Sequence, residues 1–334
     1  MTSATFTQTR SITRHGDAVD STGLVQQFEG PGHDIVVNDV TAIFHRLRAR
    51  LQGIAYNMLG SVADAEDVVQ DVWLRWHGTD KSVINNAEAW LVSATTRTAI
   101  DRLRALKARR EHYVGMWLPE PVLTESPATP EQIQESSSDV SIALLSLIER
   151  LSPEARAAFL LREVFDVDYA EVAETIDKSE ATTRQIVHRA KAQLREGEPR
   201  YIVSAESHLR IVQRFALALA KGEFKLIKSL LADNAELIGD GGGKVTSFPA
   251  PMPGGQRIAQ LLYASNLRYK DALRIDLASV NGQAAILRYI DDALESVQSI
   301  ETDGECVTRL RVQRNPAKIA RIASQLGVPL FTPL

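Results

Sequence analysis

The stretch Asp64–Trp76, DAEDVVQDVWLRW, constrains this chain more than any other. Val68, Val69, Val72, Trp73 and Trp76 recur at helical spacing and form one apolar stripe. Asp64, Glu66, Asp67, Gln70 and Asp71 fill the remaining surface with hydrogen-bond acceptors. Ser61 stands where an N-cap belongs, and Asp64 suits the positive end of the helix dipole. The pattern predicts a helix with one buried face and one acidic face. Asp67 and Asp71, four apart, share that acidic side. Such a face is either solvated surface or a docking surface for a basic partner.

Composition limits the rest. A chain of 334 residues holds about two to three domains. Its 44% hydrophobic and 24% charged content is that of a soluble globular protein. The net charge of −4 argues against wholesale coating by nucleic acid but leaves room for local basic patches. With Cys306 as the one cysteine, no intramolecular disulfide or Cys-rich metal site can form. No metal and no cofactor is expected. No segment approaches the ~20 apolar residues of a membrane span, and the polar N-terminus has no apolar signal core. The expectation is a cytoplasmic protein that does not contact membrane.

Residues 1–38, rich in Thr, Ser, Gly and Asp, read as a disordered extension or as a start-site artefact. Residues 39–59 form a helix through Val40, Ile43, Phe44, Leu47, Leu51, Ile54, Ala55 and Met58, ended by Gly60. The acidic helix follows after a short turn. His77–Glu88 is a polar loop holding Asn85 and Asn86, and a further helix is expected over Ala89–Arg110. That helix packs through Trp90, Leu91, Ala94, Ile100 and Leu103, and its back half is basic. From Arg97 to Glu111 six cations (Arg97, Arg102, Arg104, Lys107, Arg109, Arg110) face two acids. This end serves solubility or binds phosphates.

Residues 113–139 carry Pro and Ser clusters and read as a linker. Within it Trp117-Leu118-Pro119-Glu120-Pro121 is a stiff, extended ribbon with two large apolar groups. Exposed linkers seldom carry such groups, so the ribbon is expected to dock on a surface. Residues 140–197 form a second helical domain. Val140, Ala143, Leu144, Leu147, Ile148 and Leu151 make one stripe, and Ser152-Pro153 starts the next helix sharply. Tyr169–Ile176, the turn Asp177-Lys178-Ser179, and Glu180–Arg195 make a short helix, a tight turn and a basic helix. This is the helix-turn-helix pattern. Thr182, Thr183, Arg184, Gln185 and His188 then face base edges, with His188 equally compatible with plain surface. Arg189, Lys191 and Arg195 suit phosphates.

The acidic helix, the loop, the basic helix and the helix-turn-helix occur in the order of a bacterial sigma factor of the extracytoplasmic-function (group IV) class. The resemblance spans residues 40–196. It implies that Asp64, Glu66, Asp67, Gln70 and Asp71 dock region 2 on the β′ clamp of core RNA polymerase, with the β flap as a second contact. It places the pocket for a flipped base of the melted −10 element at His77–Glu88. Arg97, Arg102, Arg104, Lys107, Arg109 and Arg110 then hold the backbone, with Asp101 orienting neighbours, and the helix-turn-helix reads the −35 element. The family usually has Gly at the turn where this protein has Asp177, which tolerates left-handed geometry.

Residues 204–334 go beyond the minimal family. Helices are expected over Ala205–Ala220, Glu223–Leu231 and Gly254–Arg268, a short strand at Glu236–Ile238, then strands at Leu273–Val280, Ala284–Ile290, Ala293–Ile300 and Cys306–Gln313. Helices followed by an antiparallel sheet make an α+β domain. It resembles a SnoaL-like, NTF2-like cone with a central pocket. Sigma factors with such a tail carry a WLPEP linker, a DGGGK loop and an NPDKL-type terminus. Here these are Trp117–Pro121, Asp240-Gly241-Gly242-Gly243-Lys244 and Asn315-Pro316-Ala317-Lys318-Ile319, the last lacking the acidic residue at Ala317. The triple glycine lacks phosphate-loop spacing and reads as a tight turn that another segment approaches closely. Pro316 is expected to end the last strand.

The resulting expectation is two all-α sigma domains plus an α+β domain that grips the linker. The function implied is a transcription initiation factor, not an enzyme, whose partners are core polymerase and promoter DNA. The alternative is a small-molecule enzyme or ligand sensor fused to a DNA-binding module, with Asp240, His208 and Asp276 as candidate acid–base groups. A small molecule in the C-terminal pocket is left open by both.

Overall fold

The structure is a computed structural model that describes residues 33–110, 113–124, 140–195 and 203–332. All contacts below lie within the compact unit of residues 40–334. The N-terminal extension up to residue 32 lies outside the described residues. The first helix, α1 (His33–Leu59), starts six residues before the helix start expected at residue 39.

Gly60 ends α1 with φ +65°, and Ser61 caps α2 (Val62–Gly78) by accepting from the Asp64 N–H at 3.4 Å. The apolar stripe of α2 is buried at Val68, Val69, Val72 and Trp76. Trp73 is half-buried against Phe44. The expected loop is shorter than His77–Glu88: α2 extends to Gly78, a 3₁₀ turn forms at Lys81–Val83, and α3 begins at Ala87 (Ala87–Arg110). Asn86 accounts for the early start, because its Oδ1 accepts from the Ala89 N–H at 3.1 Å and caps α3.

The second helical region comprises α4 (Ile142–Ile148), α5 (Pro153–Glu163), α6 (Tyr169–Thr175) and α7 (Glu180–Arg195). Ser141 and Ser152 cap the first two, with Pro153 in the first turn of α5. The stripe on α4 is rotated from the expected one. Ile142 and Leu145 are buried, whereas Ala143 and Leu144 are only half-buried. Asp177 takes φ +55° in the turn between α6 and α7, so a short polar side chain stands in for the glycine there. The two helical regions share one continuous apolar core. It runs from Leu51, Met58 and Trp76 through Leu103 to Leu145, Phe159, Val172 and Leu194.

The third domain contains α8 (Ala205–Lys221), α9 (Phe224–Ser229), β1 (Leu231–Asp240), β2 (Met252–Pro253), α10 (Gly255–Tyr269), β3 (Leu273–Val280), β4 (Gln283–Ile290), β5 (Ala293–Thr302), β6 (Val307–Gln313) and α11 (Pro316–Leu326). The sheet order is β2-β1-β6-β5-β4-β3. Three expectations need correction. The helix expected over Glu223–Leu231 stops at Ser229, and the short strand expected at Glu236–Ile238 is part of β1, which starts at Leu231 and runs to Asp240. The sheet is mixed rather than antiparallel, since β1 runs parallel to β6 after a crossover of α10 and the β3–β5 meander. Residues after Pro316 are not a bare turn but a helix: Asn315 caps it through the Ala317 N–H at 3.1 Å, and proline fits its first turn.

Alternate residues of the sheet serve two cores. Ile286, Ile300 and Leu310 pack with Phe215 and Leu219 of α8, filling the interior under the helices. Ala285, Leu287 and Val297 face the other way and are covered by Ile319 and Ile322 of α11. Each large side chain fully buried this way contributes about 1.5–3 kcal/mol. That second face carries the junction described next.

Candidate functional site

The sequence ribbon Trp117–Pro121 is the centre of the site. Leu118, Pro119, Glu120 and Pro121 are buried, and Trp117 is half-buried. On one side the ribbon meets the α1–α2 corner. The Glu120 N–H donates to the Gly60 carbonyl at 2.9 Å, and the Tyr56 hydroxyl donates to the Glu120 carbonyl at 2.7 Å. The Glu120 carboxylate accepts from the Val62 N–H at 2.8 Å and so caps the acidic helix. Burial raises its pKa above the ordinary value, opposed by the Val62 hydrogen bond and by Arg321 and Lys318. Trp117 lies on Gly60, where a Cβ would sit 2.6 Å from the indole. Only glycine therefore suits both the close approach and the positive φ there.

On its other side the ribbon meets the third domain. Asp240, completely buried, accepts from the Leu118 N–H at 2.9 Å, the Tyr113 hydroxyl at 2.6 Å, Gln313 Nε2 at 3.2 Å and Lys318 Nζ at 2.7 Å. Lys318 also donates to the Leu118 carbonyl at 2.6 Å and lies 4.4 Å above the Trp117 ring and 5.0 Å from that of Tyr113. Asn315 Nδ2 donates to the Tyr113 hydroxyl at 2.9 Å and presses on Gly242, whose added Cβ would come within 2.2 Å of it. The glycine turn is thus open to a neighbouring segment, and that segment is the start of α11. Gly241 is closed instead by the Val245 carbonyl, Gly243 faces Val114, and Lys244 is exposed, outside the network. Pro316 acts through the helix it opens.

One participant has no sequence signal for its role. Asn281, 4% exposed in the β3–β4 turn with φ +51°, touches three segments. Its Oδ1 accepts from the Val122 N–H at 3.0 Å, and its Nδ2 donates to the Tyr56 hydroxyl at 2.8 Å and the Val140 carbonyl at 3.4 Å. Asn-Gly between two strands is a strong hairpin signal, but nothing local marks it as a junction.

The surface residues are less free than expected. Arg102 donates to Asp64 at 2.8 Å and to Asp67 at 3.0 Å, and Arg321 of α11 to Glu66 at 2.8 Å. The Asp64 hydrogen bond raises the Arg102 pKa further. Gln70 and Asp71 are exposed. Arg97 donates to the carbonyls of Glu174 at 2.7 Å and Thr175 at 3.0 Å, the C-terminal end of α6. Arg104 bonds Glu154 and, at 2.9 Å, Asp101, while Lys107 donates to the Leu151 carbonyl at 2.9 Å. Three of the cations expected on promoter backbone therefore hold the second helical region. Asn85 is exposed, Asn86 caps α3, and the side chains of Arg109 and Arg110 lie outside the described residues.

On α7, Thr182, Arg184, Gln185, His188, Arg189 and Arg195 are exposed. Arg184 pairs with Glu180 at 2.5 Å and stacks 4.2 Å from the Tyr169 ring, and Lys191 pairs with Glu163 at 2.6 Å. Thr183 is fully buried, donating to the Ser179 carbonyl at 3.0 Å, and so cannot face a base edge. The helical spacing turns it inward, one residue from the exposed side. The candidate acid–base groups are also occupied. Asp240 sits in the junction, His208 Nε2 bonds the Ile300 carbonyl at 2.9 Å, and Asp276 pairs with Arg274. No two of the three meet. The Cys306 thiol is half-buried, and burial, with Asp303 and Glu305 beside it, pushes its pKa up.

The sequence matches the family models "Sigma-70 region 2" over residues 43–109 and "Sigma-70, region 4" over residues 141–194. It is 38% identical over 245 residues to the ECF RNA polymerase sigma factor SigJ of Mycobacterium tuberculosis, covering 72% of this protein and 78% of that one. It is 26% identical over 293 residues to the probable ECF sigma factor SigI of the same species, covering 86% and 97%. The crystal structure of M. tuberculosis SigJ superposes with a TM-score of 0.66 at 32% identity, over 84% of this protein and 98% of that one. Two sigma regions in order, a helix-turn-helix with an exposed cationic face and this degree of identity agree: the chain belongs to the extracytoplasmic-function RNA polymerase sigma factors, alternative sigma factors that direct transcription initiation.

Proposed function

We propose that this sigma factor is held closed by its own third domain until core polymerase and promoter DNA draw its two DNA-binding regions apart. In the open form α2 docks on the β′ clamp through Asp64, Glu66, Asp67, Gln70 and Asp71. The loop with Asn85 and Asn86, and the cations of α3, take the melted −10 strand. The exposed face of α7 reads the −35 element, and region 4 meets the β flap. The protein works where core polymerase does, in the cytoplasm.

One observation carries the closed reading: Arg97 of α3 binds the last carbonyls of α6 within 3.0 Å. By their positions the −10 and −35 elements lie roughly 25 base pairs apart, which at ~3.4 Å each is about 85 Å of duplex. Two regions sharing one core cannot span that distance. Contacts between regions also occupy Arg97, Arg104, Lys107 and Glu66, which DNA and polymerase would use. Opening exchanges internal partners for external ones, which makes it two-state and responsive to either ligand.

The test places dyes at Val83→Cys in region 2 and Ala192→Cys in region 4, both exposed positions, in a Cys306→Ser background. Energy transfer is expected to be high in the free protein and to collapse on adding core polymerase. Unchanged transfer in the holoenzyme refutes the closed reading. Asp67→Lys with Asp71→Lys is expected to prevent the collapse by blocking docking.

A further inference from the structure

Asn281–Gly282 is the single Asn–Gly step in the sequence. It is also where region 2, the linker, the start of region 4 and the third domain converge. The step is chemically labile. With no side chain on Gly282, its backbone nitrogen can attack Asn281 Cγ. The bond between Cγ and Nδ2 breaks, ammonia leaves and a five-membered succinimide forms. Water then opens either imide carbonyl to give aspartate or isoaspartate.

The closed junction blocks each requirement. The Gly282 N–H is engaged, donating to Thr124 Oγ1 at 3.0 Å. Both ends of the Asn281 carboxamide are held by Val122, Tyr56 and Val140, and the backbone N–H of Asn281 donates to the Val122 carbonyl at 2.9 Å. Little of the residue meets water. None of these shields belongs to the β3–β4 hairpin except the Ser279 hydroxyl that pairs with Thr124 at 2.9 Å. If the linker and the helical regions leave, what remains is an exposed two-residue Asn–Gly turn with positive φ at both residues.

The product does not fit back. Asn281 must both accept and donate. A carboxylate can still accept from Val122 but gives nothing to the Val140 carbonyl. Nor can it donate to the Tyr56 hydroxyl, whose proton already goes to the Glu120 carbonyl. Isoaspartate further lengthens the backbone of a turn that sets the β3–β4 register. We propose that Asn281–Gly282 is a deamidation site shielded by the closed junction, and that its conversion holds the junction open. The protein would then carry a one-way chemical record of having opened.

This inference rests on the closed reading above, but its test needs neither polymerase nor DNA. Full-length wild type and Trp117→Ala, which weakens the linker's seat, are incubated at mildly alkaline pH, and the peptide holding residue 281 is followed by mass spectrometry. Conversion should be severalfold faster in the variant, because modification follows the population of the opened state. Lys318→Met serves as the second opener if Trp117→Ala does not fold. The converted wild-type fraction, separated by charge, and Asn281→Asp should both show lower energy transfer between the region 2 and region 4 dyes. Equal conversion rates in wild type and a folded opener overturn the shielding. Undiminished energy transfer in converted protein overturns the effect on closure.

Discussion

Replacing Lys318 with Met removes the charged partner of Asp240 while keeping most of the aliphatic stem over Trp117. Asp240 is fully buried, so the variant leaves a carboxylate without its ion pair. Breaking a buried pair by removing one partner costs about 3–5 kcal/mol. Three donors from outside its own turn remain on Asp240: Leu118 N–H, Tyr113 and Gln313. They place the expected cost at the low end, about 3 kcal/mol, or roughly a hundredfold in the closed-to-open ratio. Asp240 and Lys318 both belong to the third domain, but the linker covers Asp240 through Leu118 and Tyr113, so the unpaired carboxylate costs most in the closed form, and Lys318 also gives up its hydrogen bond to the Leu118 carbonyl. The assay is the dye-pair energy transfer described above, with far-UV circular dichroism to verify that the domains stay folded. Asp240→Asn combined with Lys318→Met should recover closure only in part: the amide needs no cation, but its Nδ2 meets donors, since Oδ1 of Asp240 accepts from Tyr113 and the Gly242 N–H and Oδ2 from the Leu118 N–H and Gln313. If Lys318→Met folds and closes like wild type, the ion pair does not hold the linker. A double variant that closes like wild type would show that the donors on Asp240 contribute little to the seat of the linker.

Further outcomes follow from the geometry. Arg97→Ala removes two charge-assisted hydrogen bonds to α6, each worth about 1.5–3 kcal/mol, so the free protein should open, seen as faster limited proteolysis between regions 2 and 4; an unchanged digestion pattern counts against it. Arg184→Ala should relax preference at one promoter base at a cost of about 1–3 kcal/mol, and Arg195→Ala should weaken all sequences alike and reduce the salt slope by about one. Thr183→Ala should lower the melting temperature and leave the binding profile intact, since that residue is buried; a changed base preference would restore it to the reading face. Glu120 gives a pH dependence of unusual sign. Its pKa is raised on folding, so between the ordinary carboxylate value and the raised one the unfolded chain binds fewer protons, and its contribution to stability falls as pH rises. Glu120→Gln keeps an acceptor for the Val62 N–H and should flatten that fall in a melting-temperature series across the window; an identical slope would show that Glu120 does not cause it.

How much was legible in the sequence follows the range of the forces involved. The α2 helix, its Ser61 cap and its buried valines were readable because a 3.6-residue period and a cap act over a few residues. The helix-turn-helix was readable for the same reason, down to Asp177 as the left-handed turn residue. The glycine turn at residues 241–243 announced a close approach without naming what approaches. Four things were decided only in three dimensions. The parallel β1–β6 pairing depends on which strands meet after a crossover that leaves no local trace. The facing of Thr183 depends on a rotation of one helical residue, finer than a pattern of alternating polar groups can fix. Arg97 read as a phosphate contact because its partners, the ends of α6, lie 77 and 78 residues away and are backbone carbonyls, which every sequence possesses. Asn281 read as an ordinary hairpin residue, and its partner Tyr56 lies 225 residues away. Periodicity and capping are properties of neighbours along the chain, so sequence alone determined the helices and the family they resemble. Which charges are spent inside the molecule, and which remain for polymerase and DNA, is a property of neighbours in space, and only the tertiary structure decided it.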